Sequence, residues 1–342
     1  MKISDFEYDL PEDRIAKNPP VVRGEAKLIT VDRNTGAIAD KKYPDITSLL
    51  NPGDVLVIND TRVIKARLVA TKQNGSTREI VVLEKHGKTD DWHKHKIMYR
   101  RKIAVGDVLS VENNTLVVLE ILGDGLAIVK SDTDLLELTD KLGTVPLPPY
   151  MRRDATEQDI ERYQTIWAKE NGSVAAPTAS LNMTQKILDE LKNKGVTVVY
   201  ATLHVGLGTF MPIRTDNIED HVMHQEYFEV PASTVSAIQT AKNSGNRVIA
   251  LGTTITRTLE YCQNDILNNP PADLAGEADI FMYPGYKFKV IDGLITNFHA
   301  PHSTVLMLAA AFAGWDNLKN AYQHALANDY KFLSYGDSMY IY

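Results

Sequence analysis

The chain has 342 residues, a formal net charge of −7 at pH 7 and 44% hydrophobic residues, which are ordinary values for a soluble globular protein. Its length favours two domains over one. The single cysteine, Cys262, excludes an internal disulfide, a cysteine-rich zinc site and an iron–sulfur cluster. The acidic N-terminus lacks the apolar core of a signal peptide, and no apolar run is long enough to span a bilayer. We therefore expect a cytoplasmic protein without a membrane segment.

The first part of the chain predicts the start of an α/β fold, with strands expected at 27–31, 37–39 and 55–58. The third of these strands runs directly into Asn59, Asp60, Thr61 and Arg62. Open α/β sheets bind ligands at the carboxyl ends of buried strands, so these polar residues are candidate ligand contacts. The same residue types also form caps and turns, which is the alternative interpretation.

Short alternating runs replace this pattern between residues 68 and 147. Strands are expected at 79–83, 96–99, 108–111, 115–121 and 126–129. Glycine or polar turns separate these runs, and no convincing amphipathic helix interrupts them, which is typical of a small β-barrel. Strands and helices alternate again afterwards. We therefore predict a β-barrel domain, 68–147, inserted into an α/β domain formed by 1–67 and 148–342.

The remainder of the chain predicts alternating helices and strands. Helices are expected at 156–170, 184–195, 233–244, 303–314 and 318–328, and strands at 196–205, 247–251, 280–283, 294–298 and 332–335. Polar or glycine residues follow several of these strands. Such an order predicts an α/β fold with a three-layer, largely parallel sheet.

Several segments of this second half are candidate ligand contacts. Thr253 and Thr254 open a helix after a glycine, where free backbone N–H groups can bind a carboxylate or a phosphate. Tyr286 follows one predicted strand, and the pair Asn297 and His299 ends another. The small residues that lead to Thr178 permit close contact with a flat ligand, although a tight domain crossing would use them too.

The richest chemistry lies between residues 200 and 228. Two glycines after a buried strand let the backbone approach a ligand closely, and His221, His224 and Glu226 follow within six positions of one another. This trio could bind a metal, could be held by hydrogen bonds at a domain edge, or could transfer protons and orient a substrate. The spacing is not that of zinc peptidases and no fourth ligand is evident, so we predict proton transfer and no metal.

Familiar nucleotide and hydrolase motifs are missing from the sequence. No P-loop, no complete dinucleotide fingerprint and no Gly-x-Ser-x-Gly elbow is present. A basic stretch from His93 to Lys102 and a smaller one at Arg152 and Arg153 offer a local footprint for nucleic acid despite the acidic net charge. A solvated loop and strand edge is the alternative for both stretches.

Ordered motifs extend along nearly the whole chain, at 5–11, 59–64, 147–150, 161–165, 172–178, 202–206, 221–226, 252–260, 283–286, 296–299 and 334–337. Together they resemble the S-adenosylmethionine:tRNA ribosyltransferase-isomerase family of the queuosine pathway. The resemblance implies an α/β domain that carries an inserted β-barrel, in agreement with the order of predicted elements.

The resemblance also implies an unusual use of S-adenosylmethionine as a co-substrate. Its ribosyl group is transferred and isomerised onto 7-aminomethyl-7-deazaguanine at the wobble position of tRNA, giving epoxyqueuosine-tRNA, adenine and methionine. The family's proposed mechanism begins with loss of a proton from the 5′ carbon beside the sulfonium. A positive sulfur already acidifies that C–H bond, so we expect no metal and no prosthetic group. We also expect a monomer whose partners are tRNA and S-adenosylmethionine.

Residue chemistry then assigns candidate roles. We predict as catalytic His221, His224, Glu226, Asp60 and His204. We predict as substrate-binding Arg62, Thr178, Gly206, Gly208, Thr209, Thr253, Thr254, Arg257, Tyr286, Asn297 and His299. We predict as tRNA-binding Lys94, Lys96, Arg100, Arg101, Lys102, Arg152 and Arg153.

One departure from the family pattern leaves two alternatives. Asn182 and Met183 stand where the family usually has a histidine and a phenylalanine, in a loop expected to face the ligand. The chain could therefore be a divergent S-adenosylmethionine-dependent RNA-modifying enzyme, such as a methyltransferase, or an inactive relative that binds tRNA.

Overall fold

The computed structural model describes residues 1–88, 91–206, 208 and 212–342. The strands of these described residues are β1 (Lys27–Val31), β2 (Ile38–Lys42), β3 (Val55–Asn59), β4 (Thr61–Val63), β5 (Arg67–Lys72), β6 (Thr77–Val82), β7 (Lys94–Tyr99), β8 (Val108–Val111), β9 (Asn114–Gly123), β10 (Leu126–Ser131), β11 (Glu170–Ser173), β12 (Thr197–Leu203), β13 (Glu226–Val230), β14 (Val248–Leu251), β15 (Leu274–Ala278), β16 (Gly293–Asn297) and β17 (Ser338–Ile341).

The α-helices of the same residues are α1 (Ile46–Leu49), α2 (Leu135–Leu142), α3 (Glu157–Arg162), α4 (Gln185–Asn193), α5 (Ala232–Asn243), α6 (Thr253–Tyr261), α7 (Gln263–Asn268), α8 (Thr304–Ala313) and α9 (Trp315–Ala327). Across the described part of the chain, none of the helices is both long and apolar enough to cross a membrane.

A nine-stranded sheet forms the centre of the α/β part, in the order β15-β13-β12-β3-β14-β16-β17-β1-β2. Its middle strands β12, β3, β14 and β16 run parallel, which is the arrangement expected from the alternating helices. The margins differ, because β13 and β15 pair antiparallel on one side, as do β16 with β17 and β1 with β2 on the other. The predicted α/β class is confirmed, with a sheet that is parallel at its centre and mixed overall.

Alternating side chains of the central strands pack on opposite faces of the sheet. In β3, Val55 and Val57 belong to the core formed with α5, α6, α8 and α9, while Leu56 and Ile58 belong to the core formed with α1 and α4. Because both faces are covered, these strands are apolar at successive positions rather than at every second one. The sheet is therefore the middle layer of three.

A closed barrel of the strands β10-β7-β6-β5-β8-β9 forms the second part, and its own core is separate from the two cores of the sheet. The chain enters and leaves the barrel at one place, where Arg67 and Thr144 exchange backbone hydrogen bonds of 3.1 and 2.9 Å. This pairing explains how a barrel can be inserted in an α/β fold without separating β3 from β12. The inserted barrel is confirmed, while the limits 68–147 stay a prediction.

Several predicted elements were wrong in detail. The barrel segment does contain a helix, α2, which begins after Asp134, whose side chain accepts hydrogen bonds from two backbone N–H groups. The predicted strands 280–283 and 332–335 lie outside the strands: 332–335 is buried, and in 280–283 Met282 is buried between half-buried neighbours. Burial makes such segments apolar without requiring strand pairing. The helix expected at 156–170 ends at Arg162, where the chain turns towards β11.

Candidate active site

The carboxyl ends of neighbouring parallel strands meet at one edge of the sheet, and Asn59 joins them. Its side-chain amide donates to Leu203 O at 3.0 Å and to Thr254 Oγ1 at 3.4 Å. Its side-chain oxygen accepts from the backbone N–H of Leu203 at 3.2 Å and of Thr61 at 3.0 Å. Asn59 is fully buried, so this one side chain sets the relative position of the ends of β3, β12 and α6.

A cavity opens at this edge, and we call it the sheet-edge cavity. It is lined by Tyr150, Ala176, Pro177, Thr178, Ala179, Val205, Gly252, Thr253, Thr254, Thr296, Asn297, Phe298, His299, Ala300, Ser303, Val305, Leu333 and Ser334. Five of the predicted substrate-binding residues line it: Thr178, Thr253, Thr254, Asn297 and His299. The Thr178 hydroxyl donates to Asn297 Oδ1 at 2.9 Å, which connects two of these residues directly.

The sheet-edge cavity carries no formal charge on its described lining at neutral pH. Neither an acidic residue nor a lysine or arginine is among its described lining residues. Burial lowers the pKa of His299 to about 3, so its imidazole is neutral, and its Nε2 lies 2.8 Å from Thr296 Oγ1. The polar contacts available to a ligand here are hydroxyl groups, one amide and the N-terminal N–H groups of α6.

A second and larger cleft lies between the barrel and the α/β part, and we call it the barrel-side cleft. It is lined by Leu83, Glu84, His86, Lys96, Met98, Asp124, Leu126, Gly208, Pro212, Arg214, Thr215, His221, Val222, His224 and Gln225. Four predicted site residues line it: His221, His224, Gly208 and Lys96. The trio that looks like one cluster in sequence therefore contributes its two histidines to this cleft and not to the cavity.

His221 has the properties of a proton acceptor within the barrel-side cleft. Its Nε2 is buried and has no hydrogen-bond partner among the described residues, and its ring stands edge-on to Phe281 with centroids 5.1 Å apart. Burial, together with the neighbouring His224, lowers the pKa of His221 and favours the neutral imidazole. His224 is exposed and packs against Gly208, where an added Cβ would come within 2.2 Å of its ring. Glycine is thus required for this close approach.

Glu226 and Arg257 form a buried ion pair. The two residues are 2% and 6% exposed, and an Arg257 Nη1 donates to Glu226 Oε2. The other carboxylate oxygen accepts from Gly206 N at 2.9 Å, and the second Arg257 nitrogen donates to Ala278 O at 3.2 Å. This geometry joins β13, β15 and α6 to the segment that follows β12. Neither residue lines the cavity or the cleft described above.

His204 and Asp60 are held in interior hydrogen-bond networks. His204 is 1% exposed, its Nδ1 lies 2.8 Å from Thr61 Oγ1, and its ring stacks on Tyr227. Burial lowers the pKa of His204 to about 3. Asp60 accepts from Thr202 Oγ1 at 2.6 Å, and burial raises the pKa of its carboxyl. Both lie beside the strand ends, and neither lines the sheet-edge cavity.

The remaining predicted substrate residues are dispersed. Arg62 lines a different cleft, against the barrel helix α2. The Tyr286 hydroxyl donates to Glu260, near the C-terminal end of α6 and therefore away from the end that lines the cavity. Thr209 lies outside the described residues.

The basic residues divide into free and paired groups. Lys94, Arg101 and Lys102 are exposed on the barrel, and the side chain of Arg100 lies 3.6 Å from Glu79. Arg152 is exposed and contacts Glu12 at 3.0 Å. By contrast, Arg153 makes two hydrogen bonds of 2.7 and 2.8 Å with the buried carboxylate of Asp159 and is occupied within the fold.

Sequence reasoning missed Glu84 and His86, which line the barrel-side cleft. They follow the predicted strand 79–83, and polar residues after a strand were also the reason for predicting Asp60 as a site residue.

The expected ligand-facing position of Asn182 and Met183 is wrong. Asn182 donates to Gly336 O at 3.0 Å, and both residues are buried away from the cavity lining. Within the part of the chain that is described, no group of three or more His, Cys, Asp or Glu side chains is arranged to hold a metal ion.

Comparisons with known proteins agree along the whole chain. The family model described as queuosine biosynthesis protein matches residues 3–341. A protein of Pelodictyon phaeoclathratiforme named S-adenosylmethionine:tRNA ribosyltransferase-isomerase is 52% identical over 344 residues, with 100% of both chains covered. A protein of the same name from Geobacter sulfurreducens is 46% identical over 346 residues, again with 100% of both chains covered.

A solved structure extends the comparison to the fold. The crystal structure of S-adenosylmethionine tRNA ribosyltransferase from Thermotoga maritima matches with 32% sequence identity and a TM-score of 0.58, and the match covers 99% of this chain and 100% of that chain. Because the family model and the relatives span the sheet and the barrel together, the chain belongs to the queuosine biosynthesis protein family.

Proposed function

We propose that the protein transfers and isomerises the ribosyl group of S-adenosylmethionine onto 7-aminomethyl-7-deazaguanine at the wobble position of tRNA. The products are epoxyqueuosine-tRNA, adenine and methionine. The observation that carries this proposal is family membership over residues 3–341, and it is supported by the five predicted substrate-binding residues that line one cavity at the sheet edge. We further propose that the protein acts in the cytoplasm as a monomer and uses no prosthetic group.

In this proposal the sheet-edge cavity holds the reacting sugar of S-adenosylmethionine. Its volume of about 110 Å³ is well below that of a pocket that takes a drug-sized ligand whole, so part of the co-substrate extends beyond it. The first N–H groups of α6, at Thr253 and Thr254, suit the methionine carboxylate or a ribose hydroxyl. The Thr178 hydroxyl and the Asn297 amide face the same space and can orient the sugar through hydrogen bonds.

The acceptor nucleobase enters from the barrel-side cleft in this proposal. The cleft measures about 510 Å³, which is large enough for a base turned out of the RNA, and Lys96 and Arg214 supply charge for the adjoining phosphates. Val205 lines the cavity and Gly208 lines the cleft, so in this proposal donor and acceptor meet near these two residues. We assign proton transfer to His221 and His224, which face the acceptor side.

Glu226, Arg257, His204 and Asp60 act as positioning residues in this proposal. Their hydrogen bonds and ion pairs hold the ends of β12, β13 and α6, and they lie outside the lining of both spaces.

The alternative of an inactive relative depended on Asn182 and Met183 facing the ligand. Asn182 is instead bonded inside the fold and does not line the cavity, so this alternative loses its support.

The decisive experiment incubates the protein with S-adenosylmethionine and tRNA that carries 7-aminomethyl-7-deazaguanine. Release of one free adenine for each modified tRNA is the expected result. The matched control uses tRNA with guanine at the same position, which offers no aminomethyl nitrogen and should release no adenine. Formation of S-adenosylhomocysteine in place of adenine would identify a methyltransferase, and tRNA binding without either product would identify an inactive relative.

A further inference from the structure

A cluster of three titratable side chains bridges the barrel and the sheet. Glu84 and His86 follow β6 of the barrel, and Glu277 belongs to β15 at the margin of the sheet. His86 Nε2 lies 3.6 Å from Glu84 Oε1, and His86 Nδ1 lies 3.4 Å from Glu277 Oε2. Its contact with Glu84 raises the pKa of His86. Two carboxylates therefore flank one imidazole, and Lys96 of the barrel-side cleft lies close enough to act on Glu84 and His86.

The carboxylate of this cluster that lines the barrel-side cleft is that of Glu84. The residue is 8% exposed and lines the cleft, yet its Oε2 has no hydrogen-bond partner among the described residues. Burial alone would raise the pKa of Glu84, but the His86 imidazole, the residue's own backbone N–H and Lys96 together lower it, so the carboxylate is ionised. A buried carboxylate oxygen without a donor is costly, and a ligand that supplies a donor removes the cost.

The position of the Glu84 carboxylate is set by its contact with Gly206. It packs directly against Gly206, where an added Cβ would lie 2.4 Å from Oε1. Gly206 in turn donates its N–H to Glu226, which fixes the glycine in place. Glu84 Oε2 is therefore held beside Gly206, close to where donor and acceptor meet in the proposed reaction.

The surrounding cleft suits a flat heteroaromatic ring with a cationic substituent. Met98 and Leu126 contribute apolar surface from the barrel, and Val222, 83% exposed, contributes it from the α/β part. The proposed reaction offers three cationic groups: the sulfonium and the α-ammonium of S-adenosylmethionine, and the primary amine of the acceptor base. A sulfonium has no N–H or O–H to donate, whereas each ammonium has three. Because the proposed function places S-adenosylmethionine in the sheet-edge cavity and the acceptor base in the cleft that Glu84 lines, the donor matched to Glu84 Oε2 is the amine of the acceptor base.

We propose that Glu84 Oε2 accepts a hydrogen bond from the aminomethyl group of the acceptor nucleobase and thereby makes the enzyme select the aminomethyl base over guanine. This inference rests on the proposed function, because that function supplies the amine. Glu84 is a specificity residue contributed by the barrel, which explains why the catalytic sheet carries an inserted domain beside its strand ends. Lys96 and Arg214 serve the phosphates on either side of the same base.

The test compares binding of two RNAs that differ only at the wobble base, one with the aminomethyl base and one with guanine. Unaltered protein should bind the aminomethyl RNA about tenfold to hundredfold more tightly, as expected for a charge-assisted hydrogen bond. Glu84→Gln keeps the shape and should reduce this preference to about twofold, with the affinity for guanine RNA unchanged. Glu84→Asp, which retracts the carboxylate, should give an intermediate preference.

Glu120→Gln is the matched control, because it removes one negative charge from an exposed position on the barrel strand β9, outside the cleft lining. It should keep the full preference. An equal loss in Glu120→Gln and Glu84→Gln would overturn the proposal, since general electrostatics would then explain it. An unchanged preference in Glu84→Gln, with thermal unfolding like that of the unaltered protein, would overturn it too.

Turnover separates the remaining possibilities. Glu84→Gln should leave the KM for S-adenosylmethionine within about twofold, because the carboxylate contacts the acceptor. A raised KM for S-adenosylmethionine with an intact RNA preference would assign Glu84 to the sulfonium or the α-ammonium of S-adenosylmethionine and overturn the proposal. If unaltered protein released no adenine, the proposed function would fail, while a binding preference that disappears in Glu84→Gln would still support this amine site.

Discussion

Val205 lines the sheet-edge cavity and Gly208 lines the barrel-side cleft, and these two spaces differ in chemistry. The cavity is formed by strand ends and the start of α6, and its described lining carries hydroxyl groups, an amide and a neutral histidine. The cleft is lined by acidic, basic and histidine side chains from both parts of the protein. The cavity is therefore small and uncharged, and the cleft is larger and lined by charged groups.

This difference fits what each space is proposed to bind. The sulfonium of S-adenosylmethionine loses its positive charge when methionine leaves, so an uncharged cavity avoids stabilising the ground state more than the transition state. RNA is a polyanion whose bases differ in polar edges, so its recognition requires charges and hydrogen-bond acceptors. The contrast leads to four predictions.

The first prediction breaks the link between the two spaces. Glu226 is the first residue of β13 and directly follows the cleft residue Gln225. Arg257 belongs to α6, whose first turn lines the cavity. Glu226→Gln should lower the free energy of unfolding by about 3 kcal/mol, because it leaves a buried arginine charge without its partner. Urea denaturation measures this quantity.

The matched control for this prediction is Glu137→Gln, which breaks an exposed pair with Lys141 whose side chains are 65% and 69% exposed. It should cost less than about 1 kcal/mol. Equal losses in the two variants would contradict a structural role for the Glu226–Arg257 pair and would return Glu226 to the catalytic candidates.

The second prediction separates donor from acceptor binding. Asn297→Ala removes the acceptor of the Thr178 hydroxyl inside the cavity and should lower kcat/KM for S-adenosylmethionine about a hundredfold. The dissociation constant for tRNA should stay within about twofold. Arg214→Gln in the cleft should have the opposite pattern, with weaker tRNA binding and an unchanged KM for S-adenosylmethionine. A similar pattern in both variants would argue against two separate binding spaces.

The third prediction concerns acid stability. The pKa of His299 is lowered by burial from 6.5 to about 3, so below pH 6.5 the unfolded chain binds a proton that the folded protein does not. The free energy of unfolding should therefore fall as the pH drops from about 6.5, by up to about 1.4 kcal/mol per pH unit for this residue. His299→Gln should remove this contribution, and denaturation between pH 6.5 and 4 measures the difference in slope. Parallel curves for the two proteins would contradict a buried neutral imidazole.

The fourth prediction concerns the basic surface near the cleft. Arg101→Gln should weaken tRNA binding a few-fold and reduce the slope of log affinity against log salt by about 1, because an exposed arginine is free to contact a phosphate. Arg153→Gln is the control of equal charge change, and it should leave that slope unchanged because Arg153 is engaged with Asp159. A reduced slope in both variants would show that the ion pair opens to bind RNA.

The sequence by itself was sufficient for the family, the α/β class and the inserted barrel. Its motifs extend along the whole chain, and these features depend on local patterns such as apolar strands, turn residues and helix caps. The predicted polar stretch 59–62 does begin at the sheet edge, because polar residues after a buried parallel strand emerge at a predictable end of the sheet, but none of its four residues lines the sheet-edge cavity.

Tertiary structure decided how the sequence cluster of His221, His224 and Glu226 is divided. Glu226 lies in β13 and points inward to Arg257, whereas the two histidines precede the strand and face the cleft. No local pattern encodes this division, because it depends on partners far away in the chain. The same is true of Glu84, whose neighbours Gly206 and the His86–Glu277 pair meet only when the barrel packs beside the sheet. Long-range packing therefore determines which charged groups are neutralised inside the fold and which remain available to a ligand.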